Sequence, residues 1–129
     1  MAKVICKLHK VTLCRLITLS GFQYGDKRLV YATDCEPDDP FFLKLISFCD
    51  GADLLLYDGQ FTEKDSVVKK GFGHSTAEKG VELMERCGAK RLLLIHHDPQ
   101  ASDEELLRRE RRFNSERIRY AREGEEIEI

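Results

Sequence analysis

The sequence predicts an α/β domain built around a largely parallel β-sheet. Three runs of apolar residues, at 28–33, 53–57 and 90–95, are rich in leucine or β-branched side chains, as buried strands are. Helix signals separate these runs, so strands and helices alternate along the chain. The 129 residues, 42% of them hydrophobic, are enough for one domain with a buried core. We therefore expect residues 1–129 to form a single domain.

The first predicted elements are strands. Residues 4–18 mix β-branched residues and leucines with Lys and His and predict one or two strands, although they have no decisive period. Gly25 and Asp26 predict a turn before the next strand, which ends at Asp34. The strand at 53–57 does not alternate between apolar and polar residues, which favours burial on both faces.

Three helices are predicted by N-terminal capping signals. A Ser, Thr or Asp at the N-cap offers a side-chain oxygen to the free N–H groups of the first turn. These signals lie at Asp39-Pro40, at the capping box Ser75-Thr76-Ala77-Glu78 and at the capping box Ser102-Asp103-Glu104-Glu105. The helices are predicted to end near Asp50-Gly51, at Gly88 and at about Phe113.

The carboxy-terminal part is predicted to close the sheet. Ile118–Tyr120 and Ile127–Ile129 resemble short strands. The arginine-rich stretch at 108–112 is interrupted by Glu110, and we interpret it as a solvated helix face with salt bridges rather than a surface that follows phosphates.

Charge, hydropathy and cysteine usage exclude several classes of protein. The net charge of −2 provides no global basic field for nucleic acid or an anionic membrane. We find no apolar stretch near the roughly 20 residues that a membrane helix needs, and we expect a cytoplasmic protein with no membrane partner. The five cysteines have no paired spacing, so they predict small buried side chains rather than disulfides or a zinc knuckle.

Polar residues follow the predicted strands. Asp34, Asp58 and the run His96-His97-Asp98 each come at a strand end, and His74 lies just before a predicted helix. In parallel sheets functional side chains gather at these ends. Imidazole and carboxylate suit zinc or manganese, and such a cation activates water for hydrolysis. The glycines and hydroxyls around His74 also suit an anion such as phosphate at the helix start.

Each of these residues has a simpler interpretation. Asp34 could cap a turn, and Asp58 before a glycine is more typical of a turn residue than of a ligand. His97 and Asp98 could be surface groups. His9, in the irregular first segment, is more typical of a solvated or hydrogen-bonded histidine.

Together these segments resemble the carboxy-terminal half of the metallo-β-lactamase superfamily, in its ribonuclease Z-like and phosphodiesterase-like branch. The motifs that carry the resemblance are Tyr31-Ala32-Thr33-Asp34, Ala52–Phe61, Gly71-Phe72-Gly73-His74-Ser75-Thr76 and Arg91–Pro99. The resemblance covers about residues 27–129. It implies an α/β fold that forms half of a four-layer αββα sandwich, with helices outside two facing sheets.

The resemblance also implies roles for individual residues. Asp34 matches a metal-bridging aspartate, His96 the last metal ligand, and His74 a histidine that assists catalysis. We expect three further residues to contact the metal ligands rather than the metal itself: Asp58, Ser75 and Thr76. The implied metal is zinc, with manganese or iron as alternatives, and the implied reaction is hydrolysis of a phosphodiester, in a phosphate-containing small molecule or at a nucleic-acid end.

The sequence departs from the family at its main ligand block. His-x-His-x-Asp-His is absent, and His9 is a tentative counterpart of one missing ligand. A catalytic zinc site generally has three protein ligands, so Asp34 and His96 are too few. The chain is therefore expected to be incomplete or inactive alone: a fragment, a subunit of a homodimer or of a pair with another chain, or a degenerate homologue. A non-catalytic α/β interaction module that has lost its metal is the alternative function.

A receiver-like phosphoacceptor domain is a third possibility, because the strand that ends at Asp58 resembles its phosphorylated strand. That fold does not explain the His-Ser-Thr motif or the His-His-Asp-Pro run at residues 96–99.

Overall fold

The computed structural model describes residues 6–14, 17–36 and 38–129. In these ranges six strands form one sheet in chain order: β1 (Cys6–Cys14), β2 (Ile17–Tyr24), β3 (Lys27–Ala32), β4 (Leu54–Asp58), β5 (Leu92–Ile95) and β6 (Ile118–Tyr120). The helices are α1 (Asp39–Cys49), α2 (Glu63–Val68), α3 (Ala77–Cys87) and α4 (Asp103–Arg112).

The sheet is antiparallel at one side and parallel at the other. β1, β2 and β3 form an antiparallel meander, and β3 to β6 are parallel, which confirms the predicted parallel sheet. Each parallel connection moves one strand further in the same direction, so right-handed crossovers place their helices on one face. The core lies there: Val30, Leu55, Tyr57, Leu92 and Leu94 of the strands are buried in one cluster with Leu45 of α1 and Leu83 of α3.

The other face of the sheet carries the alternate residues of the same strands. The register pairs Phe22 with Leu29, and Tyr31 with Leu56, so these four side chains share that face. Phe22 and Tyr31 are exposed, although both are large and apolar or aromatic. We call this surface the open face, because the helix-packed core lies on the other side of the sheet.

The carboxy-terminal residues do not form the second closing strand that the sequence predicts. Beyond β6 the chain turns at Gly124, whose φ is 73°, and the following residues make no ladder. The main contacts are instead made by side chains: Arg119 pairs with Glu125, and Arg91 donates to the carbonyl of Glu128.

Two of the three predicted N-caps are displaced by one residue. Asp38, not Asp39, caps α1, because its carboxylate accepts from the N–H of Phe41 at 2.9 Å. Thr76, not Ser75, caps α3, because its hydroxyl accepts from the N–H of Lys79 at 3.1 Å.

The remaining local predictions have mixed outcomes. Ser102 caps α4 as predicted, and Gly88 ends α3 in the left-handed conformation, with φ of 70°. The sequence did not predict α2, because that helix buries no residue and so has no apolar stripe. The predicted burial of cysteines is confirmed for Cys35, Cys49 and Cys87. Arg109 pairs with Glu105 on α4, as the predicted salt-bridged face requires.

Candidate metal centre

The structure brings together four side chains that are far apart in the sequence: Asp34, Asp58, His74 and His96. Asp58 ends β4, Asp34 and His96 follow β3 and β5 closely, and His74 lies before α3. One carboxylate or imidazole atom of each lies within 4.8 Å of the corresponding atom of every other. The carboxyl ends of parallel strands meet at one edge of the sheet, and this explains the convergence.

Asp58 organises the group. Its side chain is fully buried, and its two oxygens face four donors. Oδ2 accepts from the N–H of Asp34 at 3.0 Å and lies 2.9 Å from Nδ1 of His74. Oδ1 accepts from the N–H groups of Gln60, at 3.2 Å, and Ser75, at 3.3 Å. Because these donors occupy the lone-pair directions of both oxygens, the carboxylate is better placed to position its neighbours than to bind a cation.

His74 is held in one ring orientation. Nδ1 is the atom that faces Asp58, and the ring stacks on that of His96 with centroids 4.6 Å apart and planes at 28°. Phe61 meets the His74 ring edge to face, with centroids 5.5 Å apart. A neutral His74 that donates Nδ1–H to Asp58 keeps a lone pair on Nε2.

Asp34 and His96 form the accessible side of the group. Their side chains are 63% and 42% exposed, and Oδ1 of Asp34 lies 3.6 Å from Nε2 of His96. Two ligands of a tetrahedral zinc ion, each about 2.0–2.1 Å from the metal, are separated by roughly 3.3 Å. The pair therefore fits two ligands of one such cation, and an imidazole with a carboxylate suits zinc or manganese.

The backbone is strained at both of these positions. Asp34 has a φ of 52° and His96 a φ of 59°, and both residues are therefore in the left-handed region. This conformation costs a non-glycine residue on the order of 1–3 kcal/mol and is found most often at functional sites. Both positions come directly after a strand, two residues after β3 for Asp34 and one residue after β5 for His96.

Ser75 and Thr76, the two residues that follow His74, are buried. Besides the Asp58 contact of its N–H, Ser75 shares a 2.9 Å hydrogen bond with the hydroxyl of Tyr57, and both residues are buried. Burial raises the pKa of Tyr57 well above its usual value, and this hydroxyl therefore keeps its proton. Thr76 contacts α3 as its N-cap.

The backbone of His9 lies in β1, opposite Gly21 of β2. Gly21 is in turn opposite Val30, four residues before Asp34. The side chain of His9 is outside the described part of the structure, so its role as a ligand stays a prediction.

His97 and Asp98 turn away from the four-residue group. Nε2 of His97 lies 2.9 Å from the carbonyl oxygen of Ala121, so this nitrogen carries the proton. Asp98 accepts from the N–H of Gln100 at 2.9 Å, within its own turn. Neither side chain is a member of the group.

Glu36 is a residue of the site that the sequence reasoning missed. Its carboxylate accepts from the N–H groups of Gly71, at 2.7 and 2.8 Å, and Gly73, at 3.1 Å. It thereby ties the loop before His74 to the loop that carries Asp34. The available signal was an acid two residues after Asp34, together with two glycines whose N–H groups could converge on it.

In the ranges that the structure describes, none of the helices combines the length and the apolar character that a membrane-spanning helix needs.

The family model of the β-lactamase superfamily domain matches residues 17–97, more than half of the chain. Curated relatives include ribonuclease Z of Gemmatimonas aurantiaca, 30% identical over 112 residues, which are 86% of this chain and 34% of that protein. Ribonuclease Z of Porphyromonas gingivalis is 34% identical over 77 residues, which are 60% of this chain and 24% of that protein. The chain thus spans about a quarter to a third of the length of these relatives.

Solved structures share the fold. The metallo-β-lactamase fold protein YhfI from Bacillus subtilis matches with a TM-score of 0.68 and 22% identity, over 92% of this chain and 47% of that one. A diphosphatase of the PhnP family matches with a TM-score of 0.66 and 21% identity, over 98% of this chain and 46% of that one. Human tRNase Z, short form, matches with a TM-score of 0.60 and 20% identity, over 75% of this chain and 37% of that one.

The fold is therefore that of half a metallo-β-lactamase sandwich, as the sequence predicted. The chain belongs to the metallo-β-lactamase superfamily and is one of its ribonuclease Z-like members.

Proposed function

We propose that this chain carries one half of a metal-dependent phosphodiesterase site. The observation that supports this most is the convergence of Asp34, Asp58, His74 and His96 within 4.8 Å at one sheet edge. In this proposal Asp34 and His96 hold the cation, Asp58 positions them, and His74 handles the proton. Zinc is the proposed metal, with manganese or iron as alternatives that the same donor set accepts. When bound, the metal supplies Lewis acidity that stabilises negative charge on a phosphoryl oxygen.

His74 is proposed to act as general acid or to stabilise the phosphate oxyanion. With Nδ1 directed at Asp58, its Nε2 can accept a proton or, once protonated, donate one to a leaving oxygen. The hydrogen-bonded carboxylate sets the ring orientation, as a carboxylate does for the histidine of a serine-hydrolase triad. Ser75 helps to fix Asp58, because its N–H donates to Oδ1 of Asp58 while its hydroxyl shares a hydrogen bond with the hydroxyl of Tyr57.

The site is proposed to need a second polypeptide segment. Asp34 and His96 supply two ligands, whereas catalytic zinc generally has three from protein. The open face also leaves Phe22 and Tyr31 exposed to water. A segment that packs on this face, from a homodimer or from a partner chain, would bury them and could bring further ligands.

The proposed substrate is an RNA phosphodiester, with small phosphodiesters as alternatives. Relatives of this chain are ribonucleases Z, and the chain spans 24% of the length of one and 34% of the length of another. A His-carboxylate site with a cation suits any phosphodiester, so the chemistry of the site alone does not select RNA.

Zinc affinity and turnover, measured in parallel on the chain assembled as the proposed homodimer or with its partner chain, test the assignment of roles. Asp34→Ala and His96→Ala are expected to weaken zinc binding by at least tenfold, because each removes a ligand. His74→Ala is expected to leave zinc affinity within twofold and to lower turnover of bis(p-nitrophenyl) phosphate by about 100-fold or more. The same zinc affinity in wild type, Asp34→Ala and His96→Ala would refute the proposal.

A second function has a specific observation in its favour. The missing ligand block in a chain that has an exposed sheet face suits a non-catalytic interaction module. A chain that binds no zinc at equilibrium but forms a stable dimer in sedimentation would favour this alternative.

A further inference from the structure

The loop that leads into His74 packs weakly against the rest of the molecule. It follows α2, which buries no residue, and within it Phe72 is 68% exposed. Gly71 and Gly73 have φ angles of 91° and 84°, in the left-handed region, and a Cβ built on either would meet no atom within 4 Å. The two glycines are therefore required for the backbone conformation rather than for space. We call residues 71–73 the glycine loop.

One carboxylate fastens both ends of the glycine loop. Oε1 and Oε2 of Glu36 accept from the N–H of Gly71 at 2.8 and 2.7 Å, and Oε2 also accepts from the N–H of Gly73 at 3.1 Å. These bonds span 35 and 37 residues of sequence, whereas the N–H of Phe72 donates locally, to the carbonyl of Lys69. Hydrogen bonds to an ionised acceptor are stronger than those between neutral groups, so Glu36 fixes the position of the loop.

This fastening joins the two segments that bring Asp34 and His74 to the site. Glu36 comes two residues after Asp34, and Gly73 directly precedes His74. Both segments also contact Asp58, through the N–H of Asp34 at 3.0 Å and Nδ1 of His74 at 2.9 Å. Asp58 is fully buried and Glu36 is half-buried. The two carboxylates thus connect the same pair of segments, one inside the molecule and one nearer its surface.

We propose that Glu36 is a positioning residue for His74 and acts through the glycine loop. This inference rests on the proposed function, in which His74 handles the proton. The 2.9 Å contact between Nδ1 of His74 and Asp58 leaves little tolerance, because a shift of about 1 Å takes the two atoms beyond hydrogen-bond distance. A misplacement of about 1 Å can lower a rate by about 100-fold. Glu36 opposes such a shift, since it holds the backbone on the amino-terminal side of His74.

Nuclear magnetic resonance of the metal-free chain tests the proposal without any turnover. Glu36→Ala removes the acceptor, and Glu36→Asp keeps the charge but is one carbon too short to reach both glycines. In both variants amide hydrogen exchange at Gly71 and Gly73 is expected to quicken by about tenfold, the factor that corresponds to one hydrogen bond. Above about pH 8, where an ordinary imidazole is neutral, the His74 ring is expected to lose its fixed Nδ1–H tautomer and to average between two tautomers.

Glu110→Ala is the matched control. Glu110 is also a glutamate that accepts from a distant backbone N–H, that of Tyr120 at 2.7 Å, and it joins α4 to β6 instead of joining segments of the site. We expect Glu110→Ala to keep the exchange rates of the glycine loop and the tautomer of His74 as in wild type. Equal changes in Glu110→Ala and Glu36→Ala, or a fixed tautomer in Glu36→Ala, would overturn the proposal. Wild-type behaviour of Glu36→Asp would also overturn it, because the carboxylate would then act through its charge alone.

Turnover of the assembled protein separates this inference from the proposed function. With zinc bound, Glu36→Ala is expected to lower kcat for bis(p-nitrophenyl) phosphate by about tenfold and to leave KM and zinc affinity within about twofold of wild type, because it removes no metal ligand. The same kcat in Glu36→Ala and in wild type would refute the role of Glu36 alone. Absence of hydrolysis by the assembled wild type would refute the proposed function, and the metal-free measurements would still decide whether Glu36 positions His74.

Discussion

Asp58→Asn is the substitution that most sharply tests how the site is organised. The variant keeps the size of the side chain but replaces one acceptor oxygen with an NH₂ donor. In wild type Oδ2 faces the N–H of Asp34 at 3.0 Å and Nδ1 of His74 at 2.9 Å. His74 can change tautomer and accept from the new amide, but the N–H of Asp34 cannot, because a backbone amide only donates.

The cost follows from these contacts. One hydrogen bond to a buried carboxylate is lost, and the remaining ones become bonds between neutral groups. Hydrogen bonds to charged groups contribute about 1.5–3 kcal/mol each, so we expect Asp58→Asn to lower the free energy of unfolding by about 2–4 kcal/mol. Urea denaturation followed by circular dichroism measures this change. We also expect zinc affinity to fall about 10–100-fold, as for other residues that orient metal ligands.

Asp53→Asn is the matched control. Asp53 is also buried and lies just before β4, the strand that Asp58 ends, where it accepts from the N–H of Arg28 at 2.8 Å and from Nζ of Lys90 at 2.6 Å. We expect it to lower stability while zinc affinity stays within twofold of wild type. The reasoning is wrong if Asp58→Asn unfolds at the urea concentration of wild type, or if both variants lose zinc equally.

Three further predictions concern packing, pH and the open face. A Cβ at Gly80 would lie 2.8 Å from Cδ1 of Tyr57. Gly80→Ala should therefore lower the urea midpoint, because the cost of overpacking, about 1–3 kcal/mol, exceeds the gain in helix propensity of about 1 kcal/mol. A higher midpoint would contradict this. Burial raises the pKa of the Cys35 thiol from 9.0 to about 12. As the pH rises, the unfolded chain therefore loses this proton before the folded chain does. The free energy of unfolding should fall between pH 9 and 12, by up to about 1.4 kcal/mol per pH unit. A constant value over that range would contradict it. Phe22→Lys with Tyr31→Lys should prevent self-association in sedimentation if copies pair through the open face; unchanged association would exclude that face.

The strand ends were predictable from the sequence because their signals are local. The strands that lead to Asp34, Asp58 and His96 are continuous apolar runs that stop at a polar residue. Parallel connections then place such ends at one edge, whatever the details of the loops. His74 could be placed near a helix start by the same local reasoning.

The details that depend on three-dimensional contacts were not predictable. Ser75 and Thr76 are both good N-cap residues. In the structure the Ser75 hydroxyl bonds to Tyr57 and Thr76 caps α3, a choice that involves a partner 18 residues away. Likewise, Asp58 before a glycine has the sequence of a turn residue, and its four donors come from segments that only the fold brings together.

Glu36 and the open face depend on long-range geometry. The bond from Glu36 to Gly71 spans 35 residues, and no local pattern indicates it. The exposure of Tyr31 follows from which face of the sheet the crossovers cover. The strand pattern does not show this, because the strands around it are apolar throughout.

Nuclear magnetic resonance of the histidine ring nitrogens during a zinc titration tests the central claim most directly, namely that Asp34 and His96 share a cation beside a His74 held by Asp58. The account predicts that the ¹⁵N signals of His96 move to metal-bound positions in wild type but not in Asp34→Ala, while Nδ1 of His74 keeps its proton throughout. Signals of His96 that stay unchanged at saturating zinc would contradict it.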